Sequence, residues 1–282
     1  KVDVPVGRSI YTPWLNQDGG FHSDLTMMRL AEEKVAIVTG VFDGGRDSFW
    51  VNRHMPTDGS VKFTNLTHKI TTLGLWGPNA PATLAQLTDH DLTQEGSSYG
   101  SIVQVDIAGL PCRIFRISYV GDTGWEIYTD WDNGPALWDA LMKAGADLGI
   151  RATGGGVYGS SGRIEKGYRL MGAELESEYN PLEAGLARPK VKAADFRGKE
   201  AYLDAREKGD PVVAMCTLTV EDLTDSQGRS RYPQGGNEPI LSMAGERIVD
   251  SHGRASRVTS AGYGPSVDKH LLMAYLPTEL AV

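Results

Sequence analysis

The stretch from Tyr11 to Leu25, YTPWLNQDGGFHSDL, constrains the fold of this chain more than any other. An apolar strand runs into Asn16-Gln17-Asp18-Gly19-Gly20, whose glycines offer the positive φ angles of a tight hairpin. The chain then resumes as a second strand, so the N-terminal region is committed to a sheet. The same turn delivers one carboxylate, Asp24, among apolar neighbours. Pointing inward, Asp24 is desolvated and becomes a candidate catalytic group. Capping the hairpin or facing water, it is ordinary, and spacing alone favours that reading. His22 stands two residues earlier and in a regular strand projects to the same face. There it either tunes the carboxylate, touches substrate or sits on the surface.

Periodicity and turn residues predict further elements along the chain. Segments 7–15 and 21–31 read as the hairpin, followed by a strand at Val35–Thr39 and a helix over 46–54 after a Gly-rich turn. A strand over 70–76 ends in Gly77-Pro78-Asn79-Ala80-Pro81, and a short helix starts at Ala82–Leu87. Strands over 101–107 and 110–119 share an Ala108-Gly109 turn, and Trp125–Thr129 is another strand. Leu137, Leu141, Ala144 and Leu148 place one apolar face on a helix over 134–148. Three glycines, 154–156, precede a helical stretch through Glu165, and Asp195–Glu207 reads as a helix. From about Pro211 short β-rich runs alternate with Gly, Pro and Asp turns, the texture of a barrel or sandwich. The expected division is therefore an α/β region over 1–210 and a β-rich domain over 211–282. No tandem repeat is visible.

With 282 residues the chain can bury a sizeable core. Its net charge of −8, without a Lys/Arg-rich run, argues against a nucleic-acid surface, which must neutralise phosphates. No apolar run is long enough to span a bilayer as a helix. The two cysteines, Cys112 and Cys216, have no metal-site spacing, and the six histidines form neither HxH nor HExxH, so no metal is expected. Both thiols lie in apolar strand-like segments; a disulfide between them stays open, and two isolated thiols fit a reducing compartment. GxGxxG occurs once, at Gly154–Gly159, but it follows a predicted helix rather than a strand, and GxxxxGK[ST] does not occur, so nucleotide binding has little support. GxSxG occurs once, at Gly96–Gly100, but it leads into a predicted strand rather than a helix, which is not the strand-to-helix elbow of a serine hydrolase.

Glu126 lies in a strand beside Trp125, where a charge is costly without partners. Tyr119 precedes it across the turn Val120–Gly124. Arg163 falls in GRIEKGYRL, and Tyr263 sits between two glycines, which let a loop approach closely. Arg163 has two even readings: an ion pair that ties segments together, or a ligand contact. Tyr263 is either a turn tyrosine or a ligand contact, with the turn slightly favoured.

The pattern Tyr11-x4-Asn16-x2-Gly19-Gly20-x3-Asp24-Leu25 resembles the hairpin of the glycine-cleavage T-protein (aminomethyltransferase) family. Four further blocks match in the same order: LGLWGPNAPATLAQL (73–87), RISYVGDTGWEIY (116–128), GRIEKGYRLMGAEL (162–175) with NPLEAGL (180–186), and VTSAGYGPSVDKHLLMAYLP (258–277). The fuller hairpin string, with Arg29-Leu30, looks most like the folate-binding module of the dimethylglycine and sarcosine dehydrogenases. The resemblance implies an α+β, multi-domain T-protein-like fold, with α/β lobes around a central folate cleft and a C-terminal barrel-like domain. It also implies that an N-terminal segment of the family pattern is missing and that the last domain is short.

Residue by residue, the resemblance implies tetrahydrofolate as cofactor and Asp24 as the catalytic carboxylate. Glu126 takes the two-donor edge of the pterin, with Tyr119 and Tyr11 beside the ring. Arg163 and Tyr263 are further cofactor contacts, and His22 meets substrate. Glu183 in NPLEAGL reads as a structural helix-start residue. Gly40 departs from the family, since the T-protein itself carries asparagine there; this fits the amine-dehydrogenase branch better. The implied activity is one-carbon transfer from a small methylated amine or its iminium, in cytoplasm or mitochondrial matrix, with a flavin dehydrogenase domain or subunit as possible partner. Two alternatives stay open: a folate-dependent O- or S-demethylase, and a non-catalytic folate-binding module. The cysteine motif of the family's iron–sulfur-repair branch is missing here.

Overall fold

The structure is a computed structural model and describes residues 3–209 and 211–281. The chain divides into two compact units. Unit one holds the chain up to Thr12, Leu25–Ser118 and Asp122–Ala152, and unit two holds Pro13–Asp24, Tyr119–Gly121 and the chain from Thr153 onward. Strands β1 (Ser9–Leu15) and β2 (Phe21–Ala31) are each cut by this division. With β3 (Lys34–Thr39) they form a three-stranded sheet in the order β1-β2-β3.

The hairpin turn works as expected at Gly19, whose φ is +82°. The Asn16 side-chain oxygen accepts the backbone N–H groups of Asp18 and Gly20 at 2.9 and 3.0 Å. Gly20 is needed for a different reason: a Cβ there would stand 2.0 Å from the Ser177 carbonyl oxygen. Along β2, Phe21, Ser23 and Leu25 are buried while His22 and Asp24 are half-buried, so the period of two puts the last pair on one face.

The rest of unit one begins with α1 (Gly44–His54), β4 (Ile70–Trp76) and α2 (Ala80–Leu84). It continues through β5 (Ile102–Ile107), β6 (Leu110–Phe115), β7 (Gly124–Asp130) and α3 (Gly134–Ala144). Its antiparallel sheet has the order β4-β7-β6-β5. Trp125 and Ile127 on one face of β7 and Tyr128 on the other are all buried, as a central strand requires. Leu137 and Leu141, one helical turn apart on α3, pack with Trp125, Ile127, Ile107 and Ile114 into the main core of this unit. Ala108 and Gly109 both have positive φ and close the β5–β6 hairpin. Strand β6 ends at Phe115, short of the expected residue 119, because the Trp76 indole N–H takes the Ile117 carbonyl (2.8 Å) and ends the ladder.

Unit two carries a π-turn (Val157–Gly162), α4 (Arg163–Glu165) and α5 (Lys199–Glu207). Helix α5 starts four residues later than the sequence suggested. Gly198 precedes it at φ +73°, pressed so close to Asn16 that a Cβ would lie 2.2 Å from its carbonyl oxygen. Strands β8 (Val213–Val220), β9 (Glu238–Pro239), β10 (Arg257–Gly264) and β11 (Lys269–Pro277) form an antiparallel sheet in the order β8-β11-β10-β9. This corrects the barrel expectation: the sheet is open, with no closed barrel among the described residues. Strand β9 is two residues long, and its Pro239 has no N–H to offer a further strand.

The boundary expected at 208–211 falls inside unit two. Leu15, Phe21, Leu175 and Tyr202 from one side of it share a core with Val213 and Tyr275 from the other. The change of texture at Pro211 is real, but core sharing is decided by contacts distant in sequence. Among the described residues no helix is long and apolar enough to cross a membrane.

Candidate functional site

In unit two, Asp24 and Tyr119, both half-buried, belong to one electrostatic neighbourhood. Burial, first of all, pushes the Tyr119 hydroxyl far up; the Arg163 charge pulls it down and Asp24 pushes it further up. The hydroxyl donates to the Arg169 carbonyl at 2.6 Å. The Tyr119 ring contacts Tyr158, 5.0 Å away and tilted, and Tyr168, 5.8 Å away and nearly parallel. The ring thus has two aromatic neighbours and is held at its tip, which fixes its orientation beside the π-turn. Such turns recur at functional sites.

Arg163 resolves towards the ion-pair reading. It is 2 % exposed and pairs at 3.0 Å with Glu174, which is fully buried. The guanidinium also donates to the carbonyls of Gly159 (2.5 Å) and Tyr168 (3.0 Å) and to the Ser260 hydroxyl (2.6 Å). Glu174 in turn accepts from the Thr259 hydroxyl (2.7 Å) and the Leu170 N–H (3.0 Å). Every polar atom of this buried pair therefore has a partner within the unit, as a buried charge demands. Tyr263 lies on β10 opposite His270, half-exposed, and its hydroxyl bonds Asp268 across the hairpin end. That is the turn-tyrosine arrangement. Glu183 is structural, but it closes a turn and starts no helix: its carboxylate accepts the Asn180 N–H (3.0 Å) while the Asn180 side chain accepts the N–H groups of Leu182 and Glu183.

In unit one, Tyr11 stands on β1, at the margin of exposure. Glu126 stands on the central strand β7, opposite Gly74 on β4 and Phe115 on β6. Burial pushes its carboxyl above the usual range, and the Tyr128 hydroxyl, which donates to Oε2, offsets part of that. The missing side chain at Gly74 makes room for the Trp76 indole, which folds over it: a Cβ at Gly74 would meet that ring at 2.1 Å. Trp76 and Tyr128 are thus two aromatic neighbours of the Glu126 region that sequence reading did not nominate. Their signal was there in the alternation of Gly74 with Trp76 and of Glu126 with Tyr128. The Gly40 departure also has a local consequence. A Cβ there would lie 2.6 Å from Asp43 Oδ2, and Arg46 holds the same carboxylate at 2.9 Å.

Chemically, unit two offers a half-buried carboxylate with an imidazole on the same strand face, next to a fixed aromatic stack. Unit one offers a carboxylate whose burial calls for N–H donors. Among the described residues no cluster of His, Cys, Asp and Glu could hold a metal, and both cysteines are free thiols.

The chain is similar to known proteins. The GCVT N-terminal domain family matches residues 1–192. The chain is 30 % identical to human mitochondrial dimethylglycine dehydrogenase over its whole length, covering 31 % of that protein, so it spans about a third of these relatives. It is 27 % identical to the aminomethyltransferase of Thermotoga petrophila, over 99 % of this chain and 71 % of that protein. The crystal structure of the glycine cleavage system aminomethyltransferase T from Bartonella henselae superimposes with a TM-score of 0.80, covering all of this chain and 71 % of the other. At 24 % identity that likeness establishes the mixed α/β fold.

Proposed function

Because this chain belongs to the GCVT family, we propose that it is a tetrahydrofolate-dependent one-carbon transferase acting on a small methylated amine or its iminium. The observation that carries the reading is Glu126. A carboxylate on a central strand, with its pKa raised by burial and a tyrosine hydroxyl on one oxygen, suits a ligand edge that presents paired N–H donors. The 2-amino group and adjacent ring N–H of a pterin form such an edge, so the residues fit the group.

When bound, tetrahydrofolate supplies a nucleophilic amine nitrogen that accepts the one-carbon unit. The chain's own part is positioning and charge. Glu126 orients the pterin, and Tyr119, its hydroxyl tied to the Arg169 carbonyl and its ring in contact with Tyr158 and Tyr168, lies beside the pterin as an aromatic ring of fixed orientation. Asp24 accepts the proton released at the reacting nitrogen and stabilises the cationic substrate electrostatically. His22, on the same strand face, contacts substrate or tunes Asp24. Arg163 holds the architecture around Tyr119 from its buried pair with Glu174. The likeness to dimethylglycine dehydrogenase supports a flavin dehydrogenase domain or subunit as the source of the iminium.

The test is turnover by the protein as the cell makes it, with tetrahydrofolate and isotope-labelled dimethylglycine, the folate products being identified by mass. Label in methylene-tetrahydrofolate that disappears in Asp24→Ala supports the proposal. Label in methyl-tetrahydrofolate, from an ether or sulfonium donor instead, supports a demethylase. Folate binding without turnover on any such donor supports a binding module.

A further inference from the structure

Two arginines lie six residues apart in GRIEKGYRL, and their environments differ sharply. Arg163 is saturated by Glu174, two carbonyls and a hydroxyl. Two further arginines of the unit, Arg254 and Arg257, each meet two carboxylates: Glu183 and Asp250, and Glu176 and Glu178. Arg169 pairs with no carboxylate among the described residues. Its Nη1 donates to the Gly167 carbonyl at 2.5 Å, and its Nε is buried with no acceptor. A half-buried guanidinium in that condition has given up water for one backbone oxygen, an incomplete exchange for a group with five donors.

Two glycines stand beside the Arg169 fork. Gly185 has no side chain where a Cβ would stand 3.0 Å from Nη2, and Gly167, at φ +63°, has none where a Cβ would stand 3.9 Å from Nη1. The residue is also tied to the candidate site, because its carbonyl is the acceptor that fixes the Tyr119 hydroxyl. A planar fork with an uncompensated charge matches a carboxylate in bidentate fashion.

We infer that Arg169, rather than Arg163, is the anion-binding arginine of this site and takes a carboxylate. The carboxylate comes either from the glutamyl tail of the folate or from an amino-acid substrate. The inference rests on the folate reading for the first source only.

The experiment titrates wild type, Arg169→Met and Arg169→Lys with three probes: tetrahydrofolate, 6-methyltetrahydropterin, which has no carboxylate, and dimethylglycine. A charge-assisted bidentate contact predicts a loss of about tenfold or more in Arg169→Met, with a smaller loss in Arg169→Lys, which keeps charge without the fork. Loss confined to tetrahydrofolate, with the tail-less pterin unchanged, assigns the glutamyl tail; loss confined to dimethylglycine assigns the substrate carboxylate. Wild type that binds dimethylglycine in an Arg169-dependent way but binds no folate sinks the folate reading and leaves the inference standing. Wild-type folate affinity with all three probes unchanged in a folded Arg169→Met overturns the inference alone. Should Arg169→Met not fold, wild-type affinities in Arg169→Lys overturn it equally. Wild type that binds neither carboxylate probe overturns both.

Discussion

Replacing Glu174 by alanine distinguishes a structural Arg163 from a ligand-binding one. The side chain is fully buried and accepts three hydrogen bonds, from Arg163 Nη1, Leu170 N and Thr259 Oγ1. Its removal leaves the Arg163 guanidinium charged inside the protein without a counter-ion. Breaking one half of a buried pair costs about 3–5 kcal/mol. The Leu170 N–H, left without its acceptor, falls within that sum, since one unmet donor accounts for about 1–3 kcal/mol. At roughly 2–4 °C per kcal/mol, the melting temperature should fall by about 6–20 °C. The double variant Arg163→Met with Glu174→Leu removes both charges and keeps the volume. It should recover at least about 2 kcal/mol of the single variant's loss, because apolar replacement of a whole buried pair is often close to neutral. Calorimetry and urea unfolding read both variants. A loss below about 1 kcal/mol in Glu174→Ala, or a double variant less stable than the single one, would refute the structural account of Arg163.

Other consequences follow from the same geometry. Glu126→Ala should weaken tetrahydrofolate binding by about 1.5–3 kcal/mol in a titration, the range for a hydrogen bond to a charged group. Burial also gives Glu126 a sign in pH. Its folded carboxyl stays protonated above the ordinary value of 4.5, where the unfolded one ionises, so this group's contribution to stability declines as pH rises from there; Glu126→Gln should flatten that decline in urea midpoints. Asp250 behaves oppositely. Burial works to raise its pKa, but the backbone N–H and guanidinium of Arg254 outweigh it and hold the carboxyl low, so its contribution is present above 3.8 and lost as pH falls through the folded value, an effect Asp250→Asn should remove. Gly20→Ala should destabilise by more than about 2 kcal/mol, since its Cβ would meet the Ser177 carbonyl at 2.0 Å. Gly45→Ala on α1, where a Cβ meets nothing within 4 Å, should gain about 0.5–1 kcal/mol in the same melts.

What could be read from the sequence was local. Asn16 and Gly19 predict the hairpin, and Ala108-Gly109 the β5–β6 turn, because turn chemistry is written in adjacent residues. The hairpin motif was also more widely used than that reading noticed. Asp225, Ser242 and Asp250 each accept the N–H groups two and four residues on, with a positive-φ glycine three residues on, as Asn16 does at its own turn. The spacing [NDS]-x-x-G was visible at all four places. What was not legible was partnership at a distance. Nothing adjacent to Arg163 says that Glu174 and Ser260 will saturate it, and nothing near Arg169 says that no carboxylate will. The early start expected for α5 failed for the same reason, since Gly198 is pressed against Asn16, far away in sequence. Asp24 and His22 were placed on one strand face by period alone, while their chemistry rests on the family likeness.

The central claim, that this chain binds a reduced folate and acts on it through separate carboxylates, is tested most directly by titrating tetrahydrofolate into wild type, Glu126→Ala and Asp24→Ala, with turnover of each measured alongside. The account predicts saturable binding in wild type, binding weakened by about tenfold or more in Glu126→Ala, and an Asp24→Ala that still binds folate but no longer turns over. Absence of folate binding in folded wild type, or full turnover in Asp24→Ala, would contradict it.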